Sequence, residues 1–277
     1  MSDTAQGQYE AASEVEGDQP GTVKMWLDAI TLARKTEETW RQNATKACDV
    51  YRGERAGAKK FNVLYANTQI LLPSLWSAVP KPDIRLRYAD KDPVGKVAAR
   101  VLERAVSHAI DVHDFESVMR AAVLDMVLPG RGGARVRYQP VLDGSGALVG
   151  QDVVAEHFDW QDFTHGPGRQ WDEVPWVAFE LRLTREQLID QFGNIGKTME
   201  LDLCTTDDAR DRDKRDVPDI FKRATVYEIW DKQAREVLFV AKTVDKRPLR
   251  RVPDPLRLRD FWPMPRPLYD VADSSSL

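Results

Sequence analysis

One hexapeptide carries residue types that could bind a nucleotide phosphate. Residues 193–198 read GNIGKT, and a P-loop ends in glycine and lysine followed by serine or threonine, here Gly196, Lys197 and Thr198. A P-loop also needs a glycine five residues before the last one, where this chain has Gln191, and a strand before the loop. A short helix is predicted before this segment instead. The pattern therefore favours a glycine turn that ends a helix, with ATP binding beside Lys197 as the alternative.

A glycine-rich segment could bind an anion. Residues 129–138, PGRGGARVRY, place Arg131, Arg135 and Arg137 beside glycines whose backbone N–H groups can form an anion-binding nest. Glycines between a helix and a strand are more typical of a plain connection, and alternate arginines are typical of the solvated face of a strand. The segment is therefore interpreted as a connection, with the nest as the less favoured reading.

The histidines, cysteines and clustered acids do not form a metal-binding pattern. His108 and His113 fall on different faces of a helix, and neither HExxH nor a Cys/His spacing occurs around Cys48 or Cys204. One strand end is crowded with potential acid/base groups, but alternation directs them to opposite sides: Glu156, His157, Asp159 and Asp162. The sequence therefore predicts no metal, no cofactor and no enzyme activity.

The basic residues are locally concentrated in one stretch. The whole chain has 40 Lys and Arg against 44 Asp and Glu, a formal charge of −4, which argues against a surface devoted to neutralising phosphates. Residues 246–259, KRPLRRVPDPLRLR, hold a local excess of positive charge. The candidate DNA-facing residues are Lys246, Arg247, Arg250 and Arg251. A solvated loop interrupted by prolines is the favoured alternative.

The first half of the chain has helical periodicity. Apolar residues spaced by three and four predict one long helix over 23–51, and residues 61–79 predict a buried helix kinked or broken before Pro73. Residues 81–88, KPDIRLRY, alternate like a strand with one solvated face. Asp92 followed by Pro93 predicts the start of an amphipathic helix, and a further helix is expected over 115–128.

The second half has the period of strands. Residues 134–142 and 147–158 predict a hairpin around a glycine turn, and residues 176–183 predict another strand. Thr184 and Gln187 form a capping box for a short helix. A second hairpin is expected to turn near 232–235. The predicted fold class is α+β, a helix-rich first half followed by antiparallel hairpins.

Composition suggests four regions along the 277 residues. Residues 1–22 read as a flexible acidic tail, 23–128 as a helical body, 129–245 as a β-rich part with a charged loop over 205–218, and 246–277 as a proline-rich basic segment. The start lacks the basic residues of a signal peptide. The most apolar stretch is too polar for a membrane span, which needs about 20 apolar residues.

The succession of these segments resembles the portal, or head–tail connector, protein of short-tailed bacteriophages. The resemblance covers roughly residues 26–270 and lies in the order of the segments, since no single motif is diagnostic. The matching segments are FNVLYANTQILLPSLWSAVPKPDIRLRY, PVGKVAARVLERAV, WVAFELRLTREQLIDQFG, VYEIWDKQAREVLFVAK and FWPMPRPLYD. Family members are considerably longer, so the resemblance implies an N-terminal portion that is truncated near residue 277.

The resemblance implies a structural role in the virion. It implies that residues 23–128 belong to the wing and body of a portal, and that the chain forms a dodecameric ring at one capsid vertex. Double-stranded DNA would pass through this ring without sequence specificity. Terminase, tail adaptor, capsid and scaffolding proteins are the implied partners, with assembly in the host cytoplasm and no membrane. The alternatives are another phage structural or adaptor protein without a DNA channel, or a nucleotide-binding packaging subunit that uses Lys197.

Overall fold

The computed structural model describes residues 21–54, 61–86, 92–143, 147–204, 218–244 and 247–269. Within these residues the chain forms seven helices and ten strands, and the architecture is α+β as predicted. The helices are α1 (Thr22–Thr36), α2 (Glu38–Arg52), α3 (Val63–Leu75), α4 (Pro93–Val112), α5 (Phe115–Val127), α6 (Arg185–Phe192) and α7 (Asn194–Thr198).

The strands follow the helical first half and pair antiparallel throughout the described residues. They are β1 (Arg131–Gly132), β2 (Ala134–Leu142), β3 (Leu148–His157), β4 (Phe163–His165), β5 (Trp176–Leu183), β6 (Leu203–Cys204), β7 (Lys222–Asp231), β8 (Glu236–Ala241), β9 (Arg250–Pro253) and β10 (Leu268–Tyr269). Contacts divide the described residues into two units, which we call the sheet unit (21–38 and 161–262) and the helix–hairpin unit (39–160 and 263–269). The predicted boundary at 128/129 lies inside the second unit.

The sheet unit is built on a meander in the order β4-β5-β7-β8-β9. Strand β6 pairs with Lys222 and Arg223 at the start of β7. One face is covered by α1, whose Val23, Trp26 and Ile30 pack against Ala178 and Ile229. The opposite face buries Trp230 against Phe261, with ring centroids 5.5 Å apart. Because both faces are covered, β5 reads as a nearly continuous apolar run instead of an alternating one.

The helix–hairpin unit packs α5 against the hairpin of β2 and β3. The hairpin register pairs Ala134 with His157 and runs to Leu142 opposite Leu148, with one shift near the turn. Trp40 of α2 stacks edge-on against Trp160 at 5.5 Å, and its indole N–H donates to the Pro129 carbonyl. Aromatic packing of this kind, and not a large aliphatic core, holds the unit together.

Local chemistry explains the elements that were predicted correctly. The Asp92 carboxylate accepts from the N–H groups of Val94 and Gly95 at the start of α4, with Pro93 in the first turn. The Thr184–Gln187 capping box begins α6. The β2–β3 hairpin, the strand over 176–183 and the β7–β8 hairpin are also confirmed. Residues 1–20 of the acidic tail predicted over 1–22, and residues 205–217 of the charged loop predicted over 205–218, lie outside the described residues. Thr22 begins α1, so the tail prediction extends into that helix.

Two helix predictions were wrong in part. The helix expected over 23–51 is interrupted at Glu37, between α1 of the sheet unit and α2 of the helix–hairpin unit. The apolar stripe therefore serves two separate partner surfaces. Pro73 does not break α3, since the helix continues through it to Leu75. Only one helical N–H is lost so near the last turn, and the Trp76 N–H still bonds the Leu72 carbonyl.

The strand expected over 81–88 is also wrong for its described residues, because 81–86 form no strand. The alternation of Ile84 and Leu86 would suit a strand, but a strand needs a neighbour for its backbone groups. Leu86 instead lies over Gly95 in the first turns of α4, where its side chain occupies the space that a Cβ would take. Arg85 pairs with Asp83 at 2.6 Å. The segment therefore packs on a helix end.

Candidate functional site

Two of the four predicted DNA-facing residues lie within a strand, so the favoured loop interpretation of 246–259 is wrong over 250–253. Lys246 lies outside the described residues, and Arg247 is exposed. Arg250 and Arg251 belong to β9, which pairs with β8. The Arg250 guanidinium lies 5.4 Å from the Phe239 ring centroid, and Arg251 lies 3.5 Å from a carboxylate oxygen of Glu236 on β8. Backbone pairing with the edge of the meander outweighs the prolines, and the role of these residues toward DNA stays a prediction.

The GNIGKT segment folds as a helical turn instead of a phosphate loop. Gly193 ends α6 and begins the five-residue α7, and helix α6, not a strand, precedes it. A Cβ at Gly196 would lie 2.1 Å from the Leu188 carbonyl oxygen, so this glycine allows the two helices to approach. The Arg185 guanidinium donates to the carbonyls of Gly196 and Met199. The glycines and their surroundings are thus accounted for by packing, and Lys197 is exposed.

The arginines of residues 129–138, the segment predicted as a plain connection or a nest, contact other side chains of the protein. Arg131 is buried, and its guanidinium lies 4.1 Å from the Trp40 ring centroid. Arg135 and Arg137 both pair with Glu156 across the β2–β3 hairpin, at 3.3 Å and 2.8 Å. A Cβ at Gly132 would overlap the Ala122 carbonyl of α5. The geometry is that of a closely packed connection whose cations already have partners.

The acidic cluster at the end of β3 is dispersed among separate partners. Glu156 faces the arginines of β2, whereas Asp162 pairs with Arg182 in the sheet unit at 2.6 Å. His157 Nε2 lies 2.8 Å from the Asp125 carboxylate of α5. Burial raises the pKa of Asp125, and the bond to His157 opposes that shift. No group of three or more metal-ligating side chains occurs among the residues that the structure describes.

A polar network holds α1 on the sheet, and no sequence motif predicted it. Arg34 pairs with Glu180 at 2.8 Å and donates from Nε to the Thr164 hydroxyl. Tyr227 donates its hydroxyl to the same carboxylate at 3.3 Å. Burial, with the nearby charge of Glu180, raises the pKa of Tyr227 to about 12. The network positions helix α1 on the sheet.

The most unusual feature of the described surface is the outer side of α3. Its inner side is held by Asn62, which caps the helix and donates to the Val50 and Tyr51 carbonyls, and by Trp76 against Phe115. The α3 sequence contains no charged residue. We define the α3 surface as the exposed side chains of Phe61, Val63, Tyr65, Ile70, Leu71 and Leu75. Exposed Asn67, Gln69 and Ser74 lie among these apolar side chains. Six large apolar side chains exposed on and beside one uncharged helix are unusual for a monomer surface, so this surface is suited to a protein partner.

The buried core is concentrated in the sheet unit. Of the 30 hydrophobic residues that are buried among the described ones, six belong to the helix–hairpin unit. They are Ala44, Ala122, Val123, Phe158, Trp160 and Met264. The expectation that the helix over 61–79 is buried is therefore wrong for the isolated chain: in α3, Thr68 is the buried residue. The apolar residues that would complete a core point outward.

No model of a protein family matches the sequence. No curated protein matches it either. Along the described residues, no helix combines the length and apolar character needed to cross a membrane. The candidate function therefore rests on the residues themselves and on the resemblance described above.

Proposed function

We propose that the chain is a subunit of a bacteriophage portal ring, a structural channel for DNA packaging and ejection at one capsid vertex. The observation that carries the proposal is the α3 surface, a set of large apolar side chains that the described residues leave exposed on and beside an uncharged helix. Obligate subunit interfaces are the most apolar class of protein contact, resembling a core cut in two. A neighbouring subunit in a ring would cover this surface and complete the small core of the helix–hairpin unit.

The charge balance supports a conduit in preference to a DNA-binding protein. A ring repeats every contact once per subunit, and each phosphate contact contributes a counterion-release slope of about 0.9. A strongly basic channel would therefore hold DNA and oppose its movement. With 40 basic and 44 acidic residues the chain is slightly acidic, and Arg250 and Arg251 are engaged by residues of β8. Terminase, tail adaptor, capsid and scaffolding proteins are the proposed partners of the assembled ring in the virion.

The proposal assigns no catalysis to the chain. The alternative of a nucleotide-dependent packaging subunit requires ATP binding beside Lys197. The helical conformation of α7 and the packing of Gly196 against Leu188 do not favour it. ATP binding by the purified chain that is lost in Lys197→Ala would support that alternative and contradict the portal role.

Electron microscopy of the purified chain tests the proposal. Rings with a central hole are expected, and Ile70→Glu should abolish them because it places a carboxylate on the α3 surface. The matched control is Ile220→Glu, since Ile220 of the sheet unit is 74% exposed and Ile70 is 70% exposed. Rings that survive Ile70→Glu would contradict the assignment of the α3 surface. Monomers or open filaments of the unmodified chain, or tight and salt-sensitive binding of duplex DNA, would contradict the portal role.

A further inference from the structure

Helix α4 turns its apolar side away from the rest of its unit. The half-buried positions of the helix are small or polar for the most part: Gly95, Ala99, Glu103, Ser107, Ala109 and Ile110. The valines and the leucine of the helix are 40% to 73% exposed, and no residue of α4 is buried. We define the α4 stripe as Val94, Val97, Val101, Leu102, Val106 and Val112. An amphipathic helix normally buries this side, and the described residues provide no partner that covers the stripe.

The residue types in the α4 stripe suit packing against another helix. The stripe extends about 27 Å from Val94 to Val112 at about 1.5 Å per residue. It consists of valines and one leucine, with exposed Ala98, Ala105 and His108 between them. Small and branched side chains let two helix axes approach to about 8–10 Å. Helices that lie in a membrane surface instead use tryptophan, phenylalanine and leucine on their apolar side.

A row of cations follows the same helix. Lys96, Arg100 and Arg104 are four residues apart and exposed, and the row approaches the edge of the stripe toward its C-terminal end. The structure gives none of the three an ion pair with a described residue. If two copies of α4 packed antiparallel about a two-fold axis, the same edges would meet and the arginines would oppose each other. The stripe is therefore unsuited to pairing with itself.

We propose that α4 docks an amphipathic helix of another protein, with apolar residues on the α4 stripe and carboxylates beside Lys96, Arg100 and Arg104. This inference goes beyond ring formation, because it assigns α3 and α4 to different partners. The uncharged α3 surface has the composition of a permanent subunit contact. The α4 stripe, with a row of cations that reaches its edge at Arg104, has the composition of a contact that selects its partner by charge.

Two synthetic helical peptides of the length of α4 test this inference on the full chain. Both carry the same apolar stripe, and they differ in having glutamate or lysine along its edge. Fluorescence anisotropy titrations at low salt should give about tenfold tighter binding of the glutamate peptide, from three exposed ion pairs. The preference should weaken as salt is raised, because these charges are exposed.

Charge reversal provides the decisive variant. Lys96→Glu/Arg100→Glu/Arg104→Glu should invert the preference, so that the lysine peptide binds more tightly. The matched control reverses three exposed lysines on other elements, Lys46, Lys197 and Lys242, and should leave the preference unchanged. Val97→Ser/Val101→Ser should weaken the binding of both peptides, because it removes apolar side chains from the α4 stripe. Circular dichroism before titration confirms that each variant is folded.

Several outcomes would overturn the inference. They are equal binding of the two peptides, no binding of either, and tighter binding of the lysine peptide to the unmodified chain. Binding of anionic vesicles or duplex DNA that the glutamate peptide does not displace would assign the cations to lipid or to nucleic acid instead. If the α4 charge reversal abolishes rings, α4 belongs to the subunit contact and this inference fails while the ring proposal stands. If Ile70→Glu abolishes the rings and leaves the preference for the glutamate peptide unchanged, both the ring proposal and the α4 inference are supported.

Discussion

Replacing Ile70 by alanine should weaken assembly much more than folding. Full burial of an isoleucine side chain is worth about 1.5–3 kcal/mol. Ile70 is 70% exposed in the single chain. Folding of that chain therefore uses about three-tenths of this energy, roughly 0.5–1 kcal/mol, and about 1–2 kcal/mol is left for a subunit contact. Since about 1.4 kcal/mol is a factor of ten, each contact should weaken about tenfold.

The matched variant for folding is Ile229→Ala. Ile229 lies on β7 under α1 and is 0% exposed. Its truncation should cost about 2–5 kcal/mol of folding free energy, the range for large-to-small changes in a core. Ile220→Ala, at an exposed site of the sheet unit, should change neither folding nor assembly measurably. The three variants therefore separate a core residue, a contact residue and an ordinary surface residue.

Two measurements on each variant read out this difference. Urea unfolding of the chain, at concentrations below those at which it assembles, gives the folding free energy. Sedimentation velocity over a concentration series gives the strength of association. If Ile70→Ala lowered the folding free energy as much as Ile229→Ala and left association unchanged, the α3 surface would be part of a monomer core and the reasoning would be refuted.

Three further predictions concern the sheet unit. Gly196→Ala should cost about 1–3 kcal/mol in urea unfolding, because the added Cβ would overlap the Leu188 carbonyl oxygen. Thr184→Ala should cost about 1 kcal/mol by removing the side-chain acceptor that begins α6, and Thr184→Ser should restore most of it. The pKa of Tyr227, raised to about 12 from 10.0, predicts stability that is present below pH 10.0 and lost as pH rises toward 12. The loss of folding free energy should reach about 3 kcal/mol above pH 12, and Tyr227→Phe should remove it. Denaturant titrations across this pH window measure the loss. An unchanged pH profile in Tyr227→Phe would assign the loss to other groups.

The sequence predicted best those elements whose signals are local. Asp92 and Pro93 begin α4, and Thr184 and Gln187 begin α6, because a cap depends on residues within one turn of the helix start. The β2–β3 and β7–β8 hairpins follow from period-two alternation and from turn residues between the strands. Each of these features is decided by neighbours in the chain.

The errors arise where distant contacts decide the outcome. Residues 81–86 alternate like a strand but have no strand beside them, whereas Arg250 and Arg251 become a strand because β8 offers an unpaired edge. The periodicity over 61–79 correctly indicated an apolar helix, but it could not show which side another chain must cover. The absence of charged residues from α3 was the available sign of a surface without a partner in the same chain.

The mass of the native assembly tests the central claim most directly. Native mass spectrometry of the purified chain should show one closed species at a fixed multiple of 31.5 kDa, with twelve copies giving about 378 kDa as the portal resemblance implies. Ile70→Glu should reduce this species to monomers, while Ile220→Glu should leave it intact. A monomer or dimer as the main species at every concentration, or a continuous series of masses typical of an open filament, would contradict the account.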